Sequence, residues 1–400
     1  MRKETSCLKK SCIPNEITQS RSEQRLMMEV VLLVHNNFKN DSRVLKEAKS
    51  LQKGGYRVQV VALHEDGQPE REFVQSIPVH YIRLKTRGWS KKKLVQLIKY
   101  AELIYRTIKY YRQVDILHCN DLQTLPIGVL IKTFFNTNVK IVYDAHEYET
   151  EVQELHGLEK RLVKWLERKL ITNVDAVLTV SNSIADEYVR LYGISKPTLV
   201  LNCPPYQRVQ KKNIFRDRFG IGKEQTIFLY QGGLLAGRGI EILLEVFRAF
   251  TDDKVLVLMG FGPLEKLVKE YASICPTIFF HEVVKSDVLL NYTASADFGI
   301  LFYENNCLNH YYCSPNKMFE YIMAGIPVIV PNLYEMRRIV TENGVGIVAS
   351  EYSREGLRTA VKAAMMMDRS DLTAHIDKLK NHYNWEEQEK LLLDTYKKIE

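Results

Sequence analysis

Apolar residues in this chain fall into short runs separated by longer stretches in which they recur every three or four positions. In the first half the runs are Glu29–Val34, Arg57–Leu63, Val79–Leu84, Asp115–Cys119, Val139–Tyr143, Asp175–Val180 and Thr198–Leu201. Their length and β-branched content predict strands. Between them, Arg43–Lys53, Lys91–Arg112 and Leu158–Ile171 carry the helical period. Gly54-Gly55 closes the first helix in the manner of a left-handed C-cap. Ser181 is placed to cap the helix that follows Val180.

Cys203-Pro204-Pro205 breaks this alternation, and a basic stretch runs on to Lys212. Two prolines in a row continue neither a helix nor a central strand, so 204–212 is the candidate linker. The alternation then restarts. Strands are predicted at Thr226–Tyr230, Lys254–Met259, Thr277–Phe280, Asp297–Tyr303, Ile326–Val330 and Gly344–Val348, with helices near Ile240–Phe250, Leu264–Ala272, Lys317–Ala324 and Arg354–Met366. Strand–helix alternation implies parallel sheets with right-handed crossovers, which take ligands at the carboxyl ends of their strands. The expected fold class is therefore α/β: two facing Rossmann-like parallel-sheet domains, 28–203 and 213–382, with a cleft between them.

Composition narrows the setting. The chain has 400 residues, more than one core usually supports, with 46% hydrophobic and 26% charged residues. No run approaches the ~18–20 apolar residues that cross a bilayer. Residues 1–27 are polar and basic without an apolar segment, so a disordered tail is expected rather than a secretory signal, with Met27 or Met28 as alternative starts. Seven scattered cysteines suit a reducing compartment, and a cytoplasmic location is expected. Cys307, His310 and Cys313 lack a second Cys/His pair, so their spacing is read as incidental and no metal site is expected. The net charge of +8 suits a polyanionic partner: a nucleotide diphosphate, anionic lipid or nucleic acid. The helix around Glu159–Leu170 is basic and amphipathic, with Trp165 among its apolar residues. It could dock at a membrane surface; packing on the sheet with a solvated charged face is the reading preferred here.

The chemistry lies in the loops. His35-Asn36-Asn37-Phe38 follows the first strand where a dinucleotide fold would carry GxGxxG, and no GxxxxGK[ST] loop exists. A nicotinamide dehydrogenase and a P-loop enzyme are thereby set aside. The second half instead opens with Gly232-Gly233, Gly237-Arg238-Gly239 and Gly260-Phe261-Gly262, each between a strand and a helix. Bare backbone N–H groups there can approach phosphate, and Arg238 is placed to fork onto a diphosphate. Further on, Ser314-Pro315-Asn316 opens a helix carrying Lys317 and Glu320 on one face, closed by Gly325. The cation can meet phosphate and the carboxylate a pair of ribose hydroxyls. A surface Lys–Glu pair is the plainer alternative.

Glu320 through Val328 resembles the segment after the second glutamate of the E-x7-E motif in family-4 retaining glycosyltransferases of GT-B architecture. "YQGGLLAGRGIEILLEVF", "LMGFGP" and "ASADFGILFY" resemble that family's donor-domain elements in order. "NDSRVLKEAKSLQKGGYRVQVVAL", "VDILHCNDL", "VYDAHEY" and "VDAVLTVS" resemble its acceptor-domain elements. The ordered set spans roughly Met28 to the C-terminus. "NWEEQEKLLLDTYKKI" resembles the helix, here 383–400, that crosses back onto the first domain in the family.

The resemblance implies that Glu320 binds the donor ribose, Arg238 holds the diphosphate, His146 contacts the donor sugar, and Gly262 lies near the nucleotide. Ser314 and Asn316, at the start of the helix that carries Lys317 and Glu320, and Arg43, inside a matching segment, join the candidate substrate-binding set. Two positions depart from the pattern. Tyr312 stands where the first glutamate would fall, and Gly233 stands where the family often carries an arginine. Lys317 is placed to restore that charge. The implied activity is metal-independent, retaining transfer of a sugar from a nucleotide-diphosphate sugar, used as a co-substrate, to a glycan or lipid-linked acceptor. No other cofactor and no nucleic acid are expected; peripheral contact with an anionic membrane is. The alternatives are a non-catalytic partner subunit and a sugar-nucleotide epimerase on the same architecture.

Overall fold

The computed structural model describes residues 27–39, 41–250 and 253–400. The tail expected over 1–27, with Cys7 and Cys12, lies outside them except for Met27.

The first sheet contains β1 (Glu29–Leu33), β2 (Arg57–Leu63), β3 (Arg71–Val74), β4 (Ile77–Ile82), β5 (Ile116–Asn120), β6 (Lys140–Ala145), β7 (Ala176–Thr179) and β8 (Thr198–Leu199), in the order β3-β4-β2-β1-β5-β6-β7-β8. Every pairing is parallel except β3 with β4. The second sheet, all parallel, contains β9 (Thr226–Gly233), β10 (Lys254–Phe261), β11 (Ile278–His281), β12 (Phe298–Ile300), β13 (Val328–Val330) and β14 (Gly346–Val348), in the order β11-β10-β9-β12-β13-β14.

Both sheets are covered by helices on both faces, which is why β1 and β10 are almost wholly apolar between their end residues. In β1, Val31 and Leu33 face one core with Leu117 and Ile141, while Val30 and Leu32 face another with Val60 and Ile116. β9 divides the same way: Ile227 and Leu229 on one side, Phe228 and Tyr230 on the other. Strand order reverses between β1 and β5 and again between β9 and β12. The loops leaving these strands diverge there, opening a crevice at the carboxyl ends of each sheet.

Three local expectations hold in detail. Gly54 ends the first helix in right-handed conformation and Gly55 takes the left-handed turn at φ 94°. Ser181 Oγ accepts from the Ile184 amide at 3.2 Å. The final helix, Trp385–Ile399, lies on the first sheet's side: Trp385 Nε1 donates to Ser50 Oγ at 2.9 Å, and Leu392 and Tyr396 enter the core that holds Val30 and Val44.

Other expectations need correction. β3 was missed because Arg71, Glu72, Phe73 and Val74 form a charged, half-exposed edge without a buried face. The strand expected over Asp297–Tyr303 is regular only at Phe298–Ile300; Leu301 still donates its amide to the Ile329 carbonyl at 2.9 Å, and Leu301–Tyr303 continue as buried chain. The basic helix runs Gly157–Leu170, and it does not lay its apolar side on the sheet as preferred above. Val163 and Leu170 pack inward, whereas Leu158 and Trp165 are 80% and 56% exposed. Among the described residues no helix is long and apolar enough to cross a membrane.

Candidate functional site

The glycine-rich turns of the second domain sit where β9 and β10 end. Gly232 adopts φ 112°, and a Cβ there would come 3.1 Å from Lys317 Nζ, so the bare backbone is what lets the lysine reach the strand end. Gly262, at φ 150°, has the Leu234 carbonyl 2.5 Å from where its Cβ would be. Gly233 is half-buried and its carbonyl accepts from the Tyr230 hydroxyl at 2.7 Å.

Arg238 precedes the helix Ile240–Arg248, and Lys317 is the second residue of the helix Asn316–Ala324. The two side chains converge on a shelf of tyrosines. Arg238 Cζ lies 4.1 Å from the Tyr303 ring centre, and Lys317 Nζ lies 5.5 Å from the same centre and 4.2 Å from that of Tyr230. Among the described residues neither cation has a carboxylate within ion-pairing distance. Burial and the nearby Arg238 push Lys317 down to about 7. Two desolvated cations without a counter-ion form a strong anion site.

Glu320 faces the same space one turn further along. Gln231 Nε2 donates to it, and Thr293 Oγ1 donates to Gln231 Oε1 at 2.8 Å, which fixes the amide's orientation. Burial raises the carboxyl above its ordinary value against the pull of Gln231 and Lys317. One carboxylate oxygen is engaged by Gln231; the group can still accept bonds from two adjacent hydroxyls.

Across the cleft, His146 follows β6. Its Nε2 is 3.1 Å from both Asn120 Oδ1 and Asp144 Oδ2, and its Nδ1 is 3.4 Å from Asp121 Oδ1. Burial opposes protonation, but the carboxylates of Asp121 and Asp144 outweigh it and lift the ring to about 9. His146 is therefore an imidazolium at neutral pH, held from both nitrogens. Glu147 adjoins it, raised by burial and by Asp121 and drawn down by the charge of Arg238 from the opposite domain. Asn309 of the second domain bridges the walls: its Oδ1 accepts from the Tyr148 amide and its Nδ2 donates to Glu147 Oε2, each at 2.9 Å.

The remaining candidates lie elsewhere. Arg43 is buried beneath the site, its Nη2 at 2.8 Å from Asp144 Oδ1, its Nε at 3.0 Å from Asp144 Oδ2 and from Glu47 Oε1, and its Nη1 at 2.7 Å from the Val200 carbonyl. It shapes the floor rather than lining the cleft. Tyr312 packs tilted against Tyr148 and Tyr311 and edge-on to Tyr334, joining the domains instead of standing beside Glu320. Ser314 is buried and Asn316 exposed at the helix start. Tyr230, Gln231 and Tyr303 were not singled out from the sequence, because residues ending strands read as core; Asp121, at φ 61°, gave a signal only in its backbone.

Residues 42–204 match the family model described as Glycosyltransferase Family 4, and residues 250–382 match that described as Glucosyltransferase 3-like, C-terminal domain. No curated protein matches by sequence. Among solved structures, the chain is similar to sucrose-phosphate synthase from Thermosynechococcus elongatus, with TM-score 0.77 and 16% identity over 93% of this chain and 99% of that one. It is also similar to Anabaena HepE in complex with UDP and glucose, with TM-score 0.70 and 13% identity over 93% and 100%. The lipopolysaccharide outer core galactosyltransferase WaaB gives 0.65 and 14% over 93% and 99%. With two Rossmann-like domains facing across a cleft, this chain has the GT-B architecture, and its first domain matches the model of glycosyltransferase family 4.

Proposed function

We propose that the protein is a retaining, metal-independent glycosyltransferase that takes a sugar from a nucleotide-diphosphate donor in the cytoplasm. The observation that carries this is the convergence of Arg238 and Lys317, both lacking a carboxylate partner, on one tyrosine shelf beside Glu320. The complex of Anabaena HepE with UDP and glucose, on the same fold, supports the nucleotide-sugar reading.

In this reading Glu320 accepts hydrogen bonds from the ribose hydroxyls, and the diphosphate lies over Arg238, Lys317 and the N-terminus of the helix beginning at Ile240. His146 orients the donor sugar from the opposite wall. When the bond between the anomeric carbon and phosphate oxygen breaks, negative charge grows on the departing diphosphate. Fixed, desolvated cations stabilise that charge without a metal. The acceptor hydroxyl forms the new bond on the same face and gives its proton to the leaving phosphate, so no side chain is named as base.

A thermal-shift screen of nucleotides and nucleotide sugars tests the donor site, since a ligand at 100 times its dissociation constant adds about 2.7 kcal/mol. Product analysis with the stabilising donor then tests turnover. A chain that binds no nucleotide overturns the reading. One that binds but never releases nucleoside diphosphate is the non-catalytic partner subunit, and one that converts donor to another sugar nucleotide is the epimerase.

A further inference from the structure

Two helices of the first domain are apolar on the side that faces away from it. In the helix Lys93–Tyr111, Leu103 and Tyr111 are buried, yet Leu94, Leu97, Ile98 and Tyr105 are exposed. Their spacing of three, four and eleven residues makes a continuous outward stripe. In the helix Gly157–Leu170, Leu158, Leu162, Trp165 and Leu166 repeat the pattern at four, seven and eight. Lys93 Nζ meets Glu159 Oε2 at 2.8 Å, which ties the first turns of the two helices together, so that both stripes start at the same end of this face. Isolated exposed leucines are ordinary, but two aligned stripes are an interaction surface.

The patch is rimmed by positive charge. Lys91, Lys92, Arg161, Arg168 and Lys169 are exposed, and among the described residues none has an acidic partner. Trp89, 54% exposed, and Trp165 add the amphipathic rings suited to a water–lipid boundary. Leu97 also lines a pocket of about 510 Å³ with Leu63, Leu84, Tyr100 and Leu103, beside His35. His35 in turn feels the charge of Asp121, the residue next to His146. The pocket, whose wall also holds Arg87, Gln96 and Lys99, thus opens beside the patch with leucines and basic side chains together in its lining.

We propose that this face docks on an anionic lipid bilayer and that the pocket, with leucines and the basic Arg87 and Lys99 in its wall, receives part of an acceptor lying in that bilayer. The nature of the acceptor rests on the transferase reading; the docking does not. Basic residues draw the face to anionic lipid, and the leucines and tryptophans then enter the interface. A protein partner fits less well, since the patch combines exposed aliphatic side chains with a rim in which Lys91, Lys92, Arg161, Arg168 and Lys169 outnumber Glu159.

The full chain is sedimented with vesicles of phosphatidylcholine alone and of an equimolar phosphatidylcholine–phosphatidylglycerol mixture. Binding to the anionic vesicles is expected to be roughly tenfold or more tighter, and to be lost near 1 M salt, where the screening length falls to about 3 Å. L158E/L162E/W165E is expected to lower that binding by roughly tenfold or more while keeping the wild-type thermal shift with the stabilising nucleotide. Equal binding to both vesicles, no binding to either, or a variant that binds like wild type overturns the proposal. So does a wild type that is dimeric in sedimentation velocity and becomes monomeric in the variant, which would assign the face to a second copy. The nucleotide shift is read without vesicles, so a failed donor reading and a failed docking surface give different results.

Discussion

Lys317 and Glu320 leave the same helix face less than one turn apart, yet they do not pair: Glu320 is taken by Gln231, while the Lys317 ammonium lies 4.2 Å from the Tyr230 ring centre. A surface Lys–Glu pair at this spacing would close on itself. Here strand β9 intervenes, because Gln231 and Gly232 are consecutive residues at its end and each receives one of the two side chains. The carboxylate and the cation are kept apart and both remain available to a ligand.

That separation predicts distinct phenotypes. Glu320→Ala is expected to weaken nucleotide binding by about 10- to 100-fold, the equivalent of losing charged hydrogen bonds worth ~1.5–3 kcal/mol. Arg238→Ala is expected to lower single-turnover rate by about 10²–10³, because the charge it meets grows as the glycosidic bond breaks. Calorimetry and rapid quench separate the two. An Arg238→Ala enzyme that turns over like wild type, or a Glu320→Ala enzyme with unchanged donor affinity, removes the donor-site assignment.

The lowered Lys317 makes donor binding pH-dependent. A free ammonium that titrates at about 7 must be protonated to hold a diphosphate, and the bound anion raises it. Affinity for the nucleotide sugar, whose diphosphate diester does not itself titrate here, is expected to be level below pH ~7 and to fall by up to about tenfold per unit above it. Lys317→Arg should flatten the profile, since a guanidinium stays charged throughout. A flat wild-type profile from pH 6 to 9 by calorimetry, with no proton uptake, would remove this role for Lys317.

His146 sets a second pH window, this one in stability. Its folded value of about 9 lies above the ~6.5 of an unfolded chain, so its contribution is fully present below ~6.5 and disappears as pH rises through 9. At ~1.4 kcal/mol per unit the contribution is roughly 3 kcal/mol. Denaturant unfolding of wild type and His146→Asn should show a gap that is widest near pH 6 and narrows toward pH 9.5. A gap independent of pH would mean that the ring is neutral in the fold.

Much of this arrangement was legible before any coordinates. Period and punctuation placed β1 and β2 almost to the residue and the starts of β9 and β10 as well, because buried parallel strands read as dense apolar runs; β9 and β10 run on three and two residues further, into the glycine-rich turns. Gly237-Arg238-Gly239 and the Lys317–Glu320 spacing marked the second domain's wall for the same local reason. What stayed hidden depends on long-range contact. Asp121, Asp144 and Asn120 become a cradle for His146 only when β5 and β6 lie side by side. Arg43 carried a candidate's place in a matching segment, but only the fold shows that it sits under Asp144 and reaches no cleft surface. The outward leucines of Gly157–Leu170 misled through periodicity itself, which reports that a helix has an apolar stripe and not which way the stripe faces.

The C-terminal helix is tied to this cradle through Tyr396. Its hydroxyl is 2.7 Å from His118 Nδ1, while His118 Nε2 lies 3.6 Å from Asp144 Oδ2 and 3.7 Å from Glu47 Oε2, all of them buried. Tyr396→Phe removes a buried hydrogen bond and leaves the imidazole nitrogen orphaned, at an expected cost of about 1–3 kcal/mol. Chemical denaturation measures it. A change under ~0.3 kcal/mol would mean that water replaces the hydroxyl, which a site this enclosed should not allow.

Chelation is the last test, and the cradle makes it sharper. Glu47, Asp144 and His146 bring one ligand atom each within 4.8 Å of one another, a grouping able to hold a cation. That cation is already supplied by the chain. Arg43 grips Asp144 with two N–H groups and approaches Glu47 with Nε, while burial and Asp144 push Glu47 well above the carboxylate range. Burial works against the charge of Asp144, yet Arg43 and His146 hold it well below its ordinary value. A divalent ion would have to expel a buried guanidinium and deprotonate Glu47, with the imidazolium of His146 repelling it as well. Turnover and melting temperature are therefore expected to be unchanged in EDTA. Loss of turnover in chelator, restored by Mn²⁺ or Mg²⁺, would overturn metal independence. Arg43→Met supplies the converse: it leaves Asp144 without its strongest partner, at an expected cost of roughly 3–5 kcal/mol, and if any variant of this chain gains metal-dependent stability it should be that one.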